Sequence, residues 1–181
     1  MTAIRFTFSA RKALEAILFL AGSRREGLDR HGILKLLFFA DAIHLNSYGR
    51  PITGDQYRAL PYGPVAQGAY DILKGDALAL EELEEDPLPL IQVGRYTVRA
   101  ARPCNRAVLS RSDCAALQAA LDRFGALDFR ARTDRSHEHP AYIRAIEAGE
   151  WLMRYEDFLD AGDGNAERAE DLAELGQLAR L

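Results

Sequence analysis

The chain has 181 residues, of which 48% are hydrophobic, and a formal net charge of −4 at pH 7. This length supports one substantial hydrophobic core, so we expect a single main domain. The longest apolar stretch, residues 33–45, contains Lys35, Asp41 and His44. It is too short and too polar for the roughly 20 apolar residues of a membrane-spanning helix. The first residues do not resemble a signal peptide, and we expect a cytoplasmic protein.

Charge is arranged in blocks along the chain. Residues 76–90 carry six acidic side chains and no basic one, whereas residues 91–135 carry nine arginines and four acidic side chains. Such blocks suit protein partners of complementary charge, although ordinary solvated surfaces also show them. A long stripe of Lys and Arg that would suit duplex DNA is absent from the sequence. Cys104 and Cys114 match neither a disulfide framework nor a zinc spacing, and we interpret them as reduced thiols.

The first part of the chain predicts two helices. Ser9 suits the N-cap of the first helix, and Gly22 ends its apolar repeat. Asp29 suits the N-cap of the second helix, which is apolar on almost every side from residue 33 to residue 45. This pattern predicts that the second helix is buried at the centre of a helical domain.

The polar residues of the second helix need partners, because buried charges are normally paired. On a helical wheel His31 and Lys35 share one side, whereas Asp41 and His44 share another. Lys35 and Asp41 therefore cannot pair with each other, and we expect each to pair with a residue of another helix. The alternative is a functional charge pair in a groove.

A connector rich in Gly and Pro, SYGRPITGDQYRALPYGPV, follows at residues 47–65. Within it, residues 55–60 predict a short strand. Pro64 suits the first position of a third helix, since its fixed φ fits that position and its missing N–H is not needed there. Gly63 permits a tight approach just before it. We expect this third helix to end near Gly75.

The second half of the chain predicts a small β element and several short helices. The acidic residues 76–90 form a loop, and residues 90–100 form a β-hairpin or bent strand that turns at Gly94. The remaining segments predict helices at 111–124, 128–135, 143–152 and 166–181. The fold class is therefore mainly α (α+β), a compact helical domain with a buried central helix and a small antiparallel β-hairpin or sheet.

The last predicted helix follows a Gly-rich linker at 162–165. Its leucines recur on one side, at Leu172, Leu175, Leu178 and Leu181. This amphipathic pattern fits a helix that docks on the core, and it equally fits a free helix that binds a partner.

Enzymatic motifs are weak. The sequence contains no nucleotide-binding glycine loop and no serine-nucleophile motif. A metal-dependent hydrolase is a third hypothesis, with ligands His137 and His139, Glu138 between them, and Asp41 and His44 from the second helix. A capped turn explains the same His-Glu-His segment more simply, so we expect no metal and no cofactor.

A winged-helix DNA-binding regulator is the alternative function. Two helices, a turn, a third helix and a β-hairpin give the element order of that fold. In this interpretation Gln67 and Lys74 of the third helix are the long polar side chains that read bases. The wing would contact phosphates through Arg95, Arg99, Arg102 and Arg106. Two long polar side chains are few for a helix that recognises bases in the major groove, so we expect no nucleic-acid partner.

Four segments in order resemble the Panacea domain, the SocA-like antitoxin family. They are KLLFFAD at 35–41, GRPITGDQYRALPYGPVAQGAYDIL at 49–73, LSRSD at 109–113 and SHEHPAY at 136–142. The resemblance covers roughly residues 10–160. It divides the chain into a Panacea-like antitoxin domain at 1–160 and a linker with a C-terminal amphipathic helix at 161–181.

The resemblance implies a function without an active site. A SocA-like antitoxin neutralises a cognate protein toxin by direct contact, and in one branch of the family it is an adaptor that delivers the toxin to the ClpXP protease. An antitoxin of this kind is not an enzyme, and its partners are proteins rather than membranes.

Candidate site residues surround the YGPV turn. Tyr57 and Tyr62 suit either interface anchors or core aromatics, whereas we expect Trp151 in the core. The predicted toxin-binding residues are Tyr57, Arg58, Tyr62, Pro64 and Gln67. The predicted structural motif consists of Lys35, Asp41, Gly49, Gly63, Ser136 and His137.

Overall fold

A computed structural model describes residues 3–85, 88–160 and 165–178. The described helices are α1 Ala10–Ala21, α2 Arg30–Tyr48, α3 Gln67–Lys74, α4 Ala77–Glu81, α5 Arg111–Phe124, α6 Phe129–His137, α7 Pro140–Glu147 and α8 Asn165–Leu178. The strands are β1 Leu28–Asp29, β2 Tyr57–Leu60, β3 Gly63–Ala66, β4 Leu90–Val93 and β5 Thr97–Ala100. The predicted class, mainly helical with small antiparallel sheets, is confirmed. Within these ranges none of the helices has the length and apolarity to cross a bilayer.

Helix α2 is the centre of the molecule, as the sequence predicts. It packs against α1, α5, α6 and β3, and residues 32–42 are all buried. The Asp29 side chain caps its first turn by accepting from the Gly32 N–H at 2.7 Å. Gly49 ends it with a left-handed φ of 74° and donates its N–H to the Leu45 carbonyl at 2.9 Å. Gly49 therefore determines where the central helix ends.

Two small antiparallel sheets flank this helical core. In the first, the strand order is β1-β5-β4. The second is the β2–β3 hairpin, in which Tyr57 lies opposite Ala66 and Leu60 lies opposite Gly63. Residues 151–153 run antiparallel beside β2 and form an isolated bridge there, between Leu152 and Arg58. The Ala59 N–H donates to the Trp151 carbonyl, and the Met153 N–H donates to the Tyr57 carbonyl, each at 2.9 Å.

The carboxylate of Asp41 holds the segment after α2 against the helix. One oxygen accepts the backbone N–H groups of Ile52 at 2.7 Å and Thr53 at 3.2 Å. The other accepts the Thr53 hydroxyl at 2.7 Å and the Tyr57 hydroxyl at 2.8 Å. Burial raises the pKa of Asp41, while the hydrogen bonds from Thr53 and Tyr57 act to lower it. Its partners therefore come from the connector, not from another helix as the sequence predicted.

A second buried carboxylate, Asp55, begins helix α3. The residue at the N-cap position, Ala66, has no side-chain hydrogen bond to offer. Asp55 replaces it from a distance, since its two oxygens accept the N–H groups of Gly68 and Ala69, each at 2.8 Å. Burial raises the pKa of Asp55 to about 6 against the effect of these bonds. The Tyr155 hydroxyl donates to the Asp55 carbonyl at 2.6 Å.

The predicted start of the third helix is wrong. Pro64 does not open a helix; it lies in β3 opposite Ala59, and α3 begins three residues later at Gln67. The fixed φ of proline fits an extended strand as well as a first helical turn. Pairing with β2 and capping by the distant Asp55 decide between them, and neither is visible in the local sequence.

Helix α5 is bound to α1 and α2 through Asp113. Its carboxylate accepts from Lys12 at 2.9 Å and from Arg50 at 2.9 Å, and it lies 3.1 Å from His44 Nε2. It also completes a capping box with Ser110, which confirms the predicted helix start. Burial raises the pKa of Asp113, but hydrogen bonds led by His44 and Lys12 bring it well below its usual range.

Helix α8 docks on the C-terminal end of α2. Leu172 and Ala173 are buried, and Arg168 donates to the backbone carbonyls of Leu45 and Asn46. A cation at the C-terminal end of a helix suits the helix dipole. Of the two predicted interpretations, docking is the one observed. The side chains of the other predicted leucines, Leu175, Leu178 and Leu181, lie outside the described part of the chain. So do residues 162–164 of the predicted linker, whereas its last residue, Asn165, begins α8.

We predict that Asp41→Ala lowers the free energy of unfolding by at least about 3 kcal/mol, because it leaves buried donors without an acceptor. Urea denaturation followed by circular dichroism measures the change. Asp122→Ala is the matched control, since Asp122 is exposed and accepts from the Gln118 side chain on the same helix. Equal stability of the two variants would contradict the role given to Asp41.

Candidate functional site

The turn of the β2–β3 hairpin projects from the core. Pro61 and Tyr62 are exposed, Tyr62 by 67%. Gly63 adopts a φ of +90°, a conformation that side-chain-bearing residues rarely take. The tight turn thus presents Tyr62 to solvent while the strands on either side return to the interior.

Lys35 and Ser136 form a floor beneath this turn. The Lys35 ammonium group donates to the Pro64 carbonyl at 2.7 Å. A Cβ atom on Gly63 would lie 2.4 Å from Ser136 Oγ and 2.8 Å from Lys35 Cε, so only glycine fits. Ser136 is fully buried and donates to the Thr133 carbonyl at 2.8 Å. Three residues of the predicted structural motif therefore meet here, although Lys35 pairs with the connector backbone instead of the predicted helix residue.

The surroundings of Lys35 are electrostatically unfavourable to its charge. Burial, together with the nearby Arg132 guanidinium, lowers the pKa of Lys35 from 10.5 to about 7. Burial and the neighbouring Lys35 also lower the pKa of His31 to about 4. The hydrogen bond to the Pro64 carbonyl keeps the Lys35 ammonium group in place. Burying its positive charge there costs free energy.

The His-Glu-His segment connects α6 to α7 next to the hairpin turn. His137 stacks on Tyr142 with ring centroids 4.4 Å apart, and the Tyr142 hydroxyl donates to the Leu60 carbonyl at 2.9 Å. His139 caps α7 by accepting from the Ala141 N–H at 3.2 Å. This segment is therefore a capped turn, in which His139 is the capping residue. Among the described residues, no three His, Cys, Asp or Glu side chains lie close enough to hold a metal.

Large apolar side chains surround the turn and form what we call the hairpin surface. Its members are Pro61, Tyr62, Phe129, Ile146, Trp151 and Leu152. Trp151 is 69% exposed, Phe129 51% and Ile146 51%. Tyr62 contacts Phe129 edge to face at 5.9 Å. On the other side of the turn, an open groove of about 240 Å³ is lined mainly by Ala59, Pro61, Ala145, Ile146 and Trp151.

Charged residues edge this surface. Arg58 is exposed on β2. Arg154 pairs with Glu150 at 2.6 Å, and Arg144 pairs with Asp157 at 2.7 Å. An apolar centre with a polar rim is the usual composition of a protein–protein interface.

The structure divides the five predicted toxin-binding residues. Tyr57 is 1% exposed and Pro64 is buried, so neither side chain is accessible to a partner, and both are structural instead. Arg58 and Tyr62 are exposed. Gln67 is half-buried and donates to Asp71 at 3.1 Å. Toxin contact by Arg58, Tyr62 and Gln67 stays a prediction.

The prediction that Trp151 lies in the core is wrong. Residues 151–153 run beside β2, and this pairing turns the indole outward. Phe129 and Ile146 were not singled out in the sequence. A single exposed apolar residue in a short amphipathic helix gives no local signal, because the surface forms only when α6, α7 and the hairpin meet.

Several residues that the winged-helix hypothesis assigns to DNA contacts are engaged within the protein. Arg102 is bound to Glu15 through both guanidinium nitrogens, at 2.8 and 3.1 Å, and also to Glu85. On α3, Lys74 pairs with Asp71 at 3.2 Å. Both long side chains of the supposed recognition helix, Gln67 and Lys74, therefore have partners within the helix itself.

We predict that Lys35→Met changes how stability depends on pH. The unfolded chain binds the Lys35 proton up to about pH 10.5, whereas the folded chain releases it near pH 7. Stability of the wild type therefore rises with pH across this window, by up to about 1.4 kcal/mol per pH unit from this group. Urea unfolding at several pH values should show a shallower rise for Lys35→Met. Lys74→Met, at an exposed site, is the control, and equal slopes in both variants would contradict a buried ionisable Lys35.

A comparison with protein-family models supports the resemblance of the sequence segments. The model of the antitoxin SocA-like, Panacea domain matches residues 33–142. The match extends from α2 through the hairpin to the first turn of α7, and it includes Lys35, Asp41 and Tyr62 but not Trp151. No curated protein and no solved structure matches the chain. Since the match covers more than half of the chain, the protein belongs to the SocA-like antitoxin family with a Panacea domain.

Proposed function

We propose that this antitoxin neutralises a cognate protein toxin by direct contact, and that the hairpin surface is where the toxin binds. The observation that carries the proposal is the exposure of two large aromatic side chains, Tyr62 at 67% in the rigid turn and Trp151 at 69% beside it. Tyr and Trp supply much of the binding energy in protein interfaces.

The rigidity of the turn supports the same function. Lys35 holds the Pro64 carbonyl, and Tyr142 holds the Leu60 carbonyl on the other strand. Asp41 fixes the base of the hairpin through Tyr57. A surface that is already ordered loses little conformational entropy when a partner binds, which raises affinity.

The groove beside Trp151 suits one apolar side chain of the toxin. Its lining is mostly apolar, and the nearest carboxylate, Glu150, is already paired with Arg154. Arg58 is exposed on β2 and has no ion pair with any residue that the structure describes, so its charge is available to a toxin carboxylate. The groove would bury an apolar side chain of the toxin, and the ion pair with Arg58 would orient the toxin on the surface.

The buried titratable residues favour contact over catalysis. Asp41, Asp55 and Lys35 have shifted pKa values, a frequent sign of an active site. Here their polar atoms bond to backbone groups that fix the hairpin and helix α3. Their perturbation therefore has a structural explanation, which supports a non-enzymatic function.

Delivery of the toxin to ClpXP is the second part of the proposal, and it follows the SocA branch of the family. Family membership supports it. An adaptor has to hold its cargo while it contacts the protease, so the hairpin surface and the protease contact would occupy different parts of the chain.

We predict that Tyr62→Ala and Trp151→Ala each weaken toxin affinity by at least about 30-fold, as expected for hot-spot aromatics worth roughly 2 kcal/mol. The toxin for the test is the product of the neighbouring gene, co-expressed with the antitoxin. Calorimetric titration and rescue of growth are the measurements.

Leu78→Ala is the matched control, because Leu78 is 76% exposed on α4, away from the hairpin. Circular dichroism checks that each variant is folded. Unchanged toxin affinity in both aromatic variants would exclude the hairpin surface as the binding site, and a pair that neither associates nor rescues growth would refute the antitoxin proposal for that neighbour.

We predict that purified ClpXP degrades the toxin faster when the antitoxin is present. The double variant Tyr62→Ala, Trp151→Ala should lose this acceleration because it no longer holds the toxin. Loss of toxin over time on denaturing gels gives the rates. If the toxin stays intact when both bound antitoxin and active ClpXP are present, delivery of the toxin to the protease is excluded. The antitoxin would then neutralise the toxin by covering its surface alone.

A further inference from the structure

A second surface lies on the three-stranded sheet, on elements that do not contribute to the hairpin surface. The strand order β1-β5-β4 makes β4 an edge strand, and within the described chain β4 pairs on one side only. Unpaired backbone groups along such an edge can pair with an added strand from another chain.

The direction of the free backbone groups follows from the ladder. The Ala101 N–H donates to the Pro89 carbonyl at 2.9 Å, and Ile91 lies opposite Arg99. In an antiparallel pair the hydrogen-bonding groups of alternate residues point to opposite sides. Ile91 and Val93 therefore bond to β5, while the N–H and C=O groups of Leu90 and Gln92 point away from the sheet.

The edge lacks the features that usually protect a strand. Its sequence, Leu-Ile-Gln-Val, contains no charge and no proline, and its register with β5 runs without a bulge. Ile91 is 38% exposed and Val93 39%. An accessible, uncharged strand of this kind is well suited to accept a further strand.

Two arginines lie beside the edge. Arg99 is exposed and lies directly across from Ile91, and Arg95 is exposed in the turn, where it covers the ring of Tyr96. In the part of the chain that the structure describes, neither guanidinium forms an ion pair. An incoming strand would lie two strand spacings, about 10 Å, from β5, so its carboxylates would meet the long Arg99 side chain across Ile91.

We propose that the β4 edge binds an extended acidic segment of a partner protein, which adds a strand beside Leu90–Val93 and places carboxylates near Arg99 and Arg95. A second copy of the chain could also add its β4 strand, and a dimer of the free protein in solution would overturn the proposal in favour of that occupant. Nucleic acid would leave Ile91 and Val93 without apolar contacts. The proposal does not depend on toxin binding at the hairpin surface.

The test uses a soluble, end-capped peptide of about nine alternating valine and glutamate residues, with a valine and lysine peptide as its counterpart. Fluorescence anisotropy measures binding, and NMR of the labelled full chain locates it. We expect the glutamate peptide to bind saturably at least tenfold more tightly than the lysine peptide. The backbone amides of Leu90 and Gln92 should show the largest shifts, since their N–H groups become paired.

Arg99→Glu should weaken binding of the glutamate peptide at least tenfold and improve binding of the lysine peptide. Arg111→Glu is the matched control, because Arg111 is also exposed but lies on α5. Equal binding of the two peptides, equal effects of the two variants, or shifts confined to residues outside β4 would each overturn the proposal. Displacement of the peptide by duplex DNA at physiological salt would also overturn it in favour of a nucleic-acid surface.

Discussion

The buried carboxylate of Asp41 is the interaction on which the rest of the structure depends. It lies inside the central helix and gathers four hydrogen bonds from Ile52, Thr53 and Tyr57. A buried charge is tolerable only when its hydrogen-bonding capacity is met, so this segment is forced to fold back against α2. The register of the hairpin follows, because Tyr57 begins β2. The position of Tyr62 at the turn is therefore determined by a residue in the core.

Other buried polar residues fix further segments of the chain in the same way. Lys35 holds the turn, Asp55 starts α3, and Asp113 binds α5 to α1 and α2. Each costs free energy in desolvation, and each specifies one arrangement of backbone that an apolar side chain would leave undefined. The result is a small set of rigid elements with an apolar surface fixed at one turn. Such a surface suits recognition of a folded partner, since little ordering is left to occur on binding.

Local signals in the sequence predicted much of this fold. Ser9 and Asp29 cap the helices that they were expected to cap. The start of the helix at residue 111 and the hairpin around Gly94 were also predicted. The errors concern contacts between distant segments. Pro64 lies in a strand because β2 pairs with it, and Trp151 is exposed because residues 151–153 pair with β2. Composition and spacing within a segment carry no information on such pairings, and the candidate site is made almost entirely of them.

Amide hydrogen exchange of the antitoxin, with and without its co-purified toxin, tests the central claim most directly. If the rigid turn presents the toxin-binding surface, the toxin should slow exchange of the amides at residues 58–63 and 146–153. Exchange near β4 should be unchanged by the toxin. Protection confined to other parts of the chain, with residues 58–63 and 146–153 exchanging as fast as in the free protein, would contradict the account.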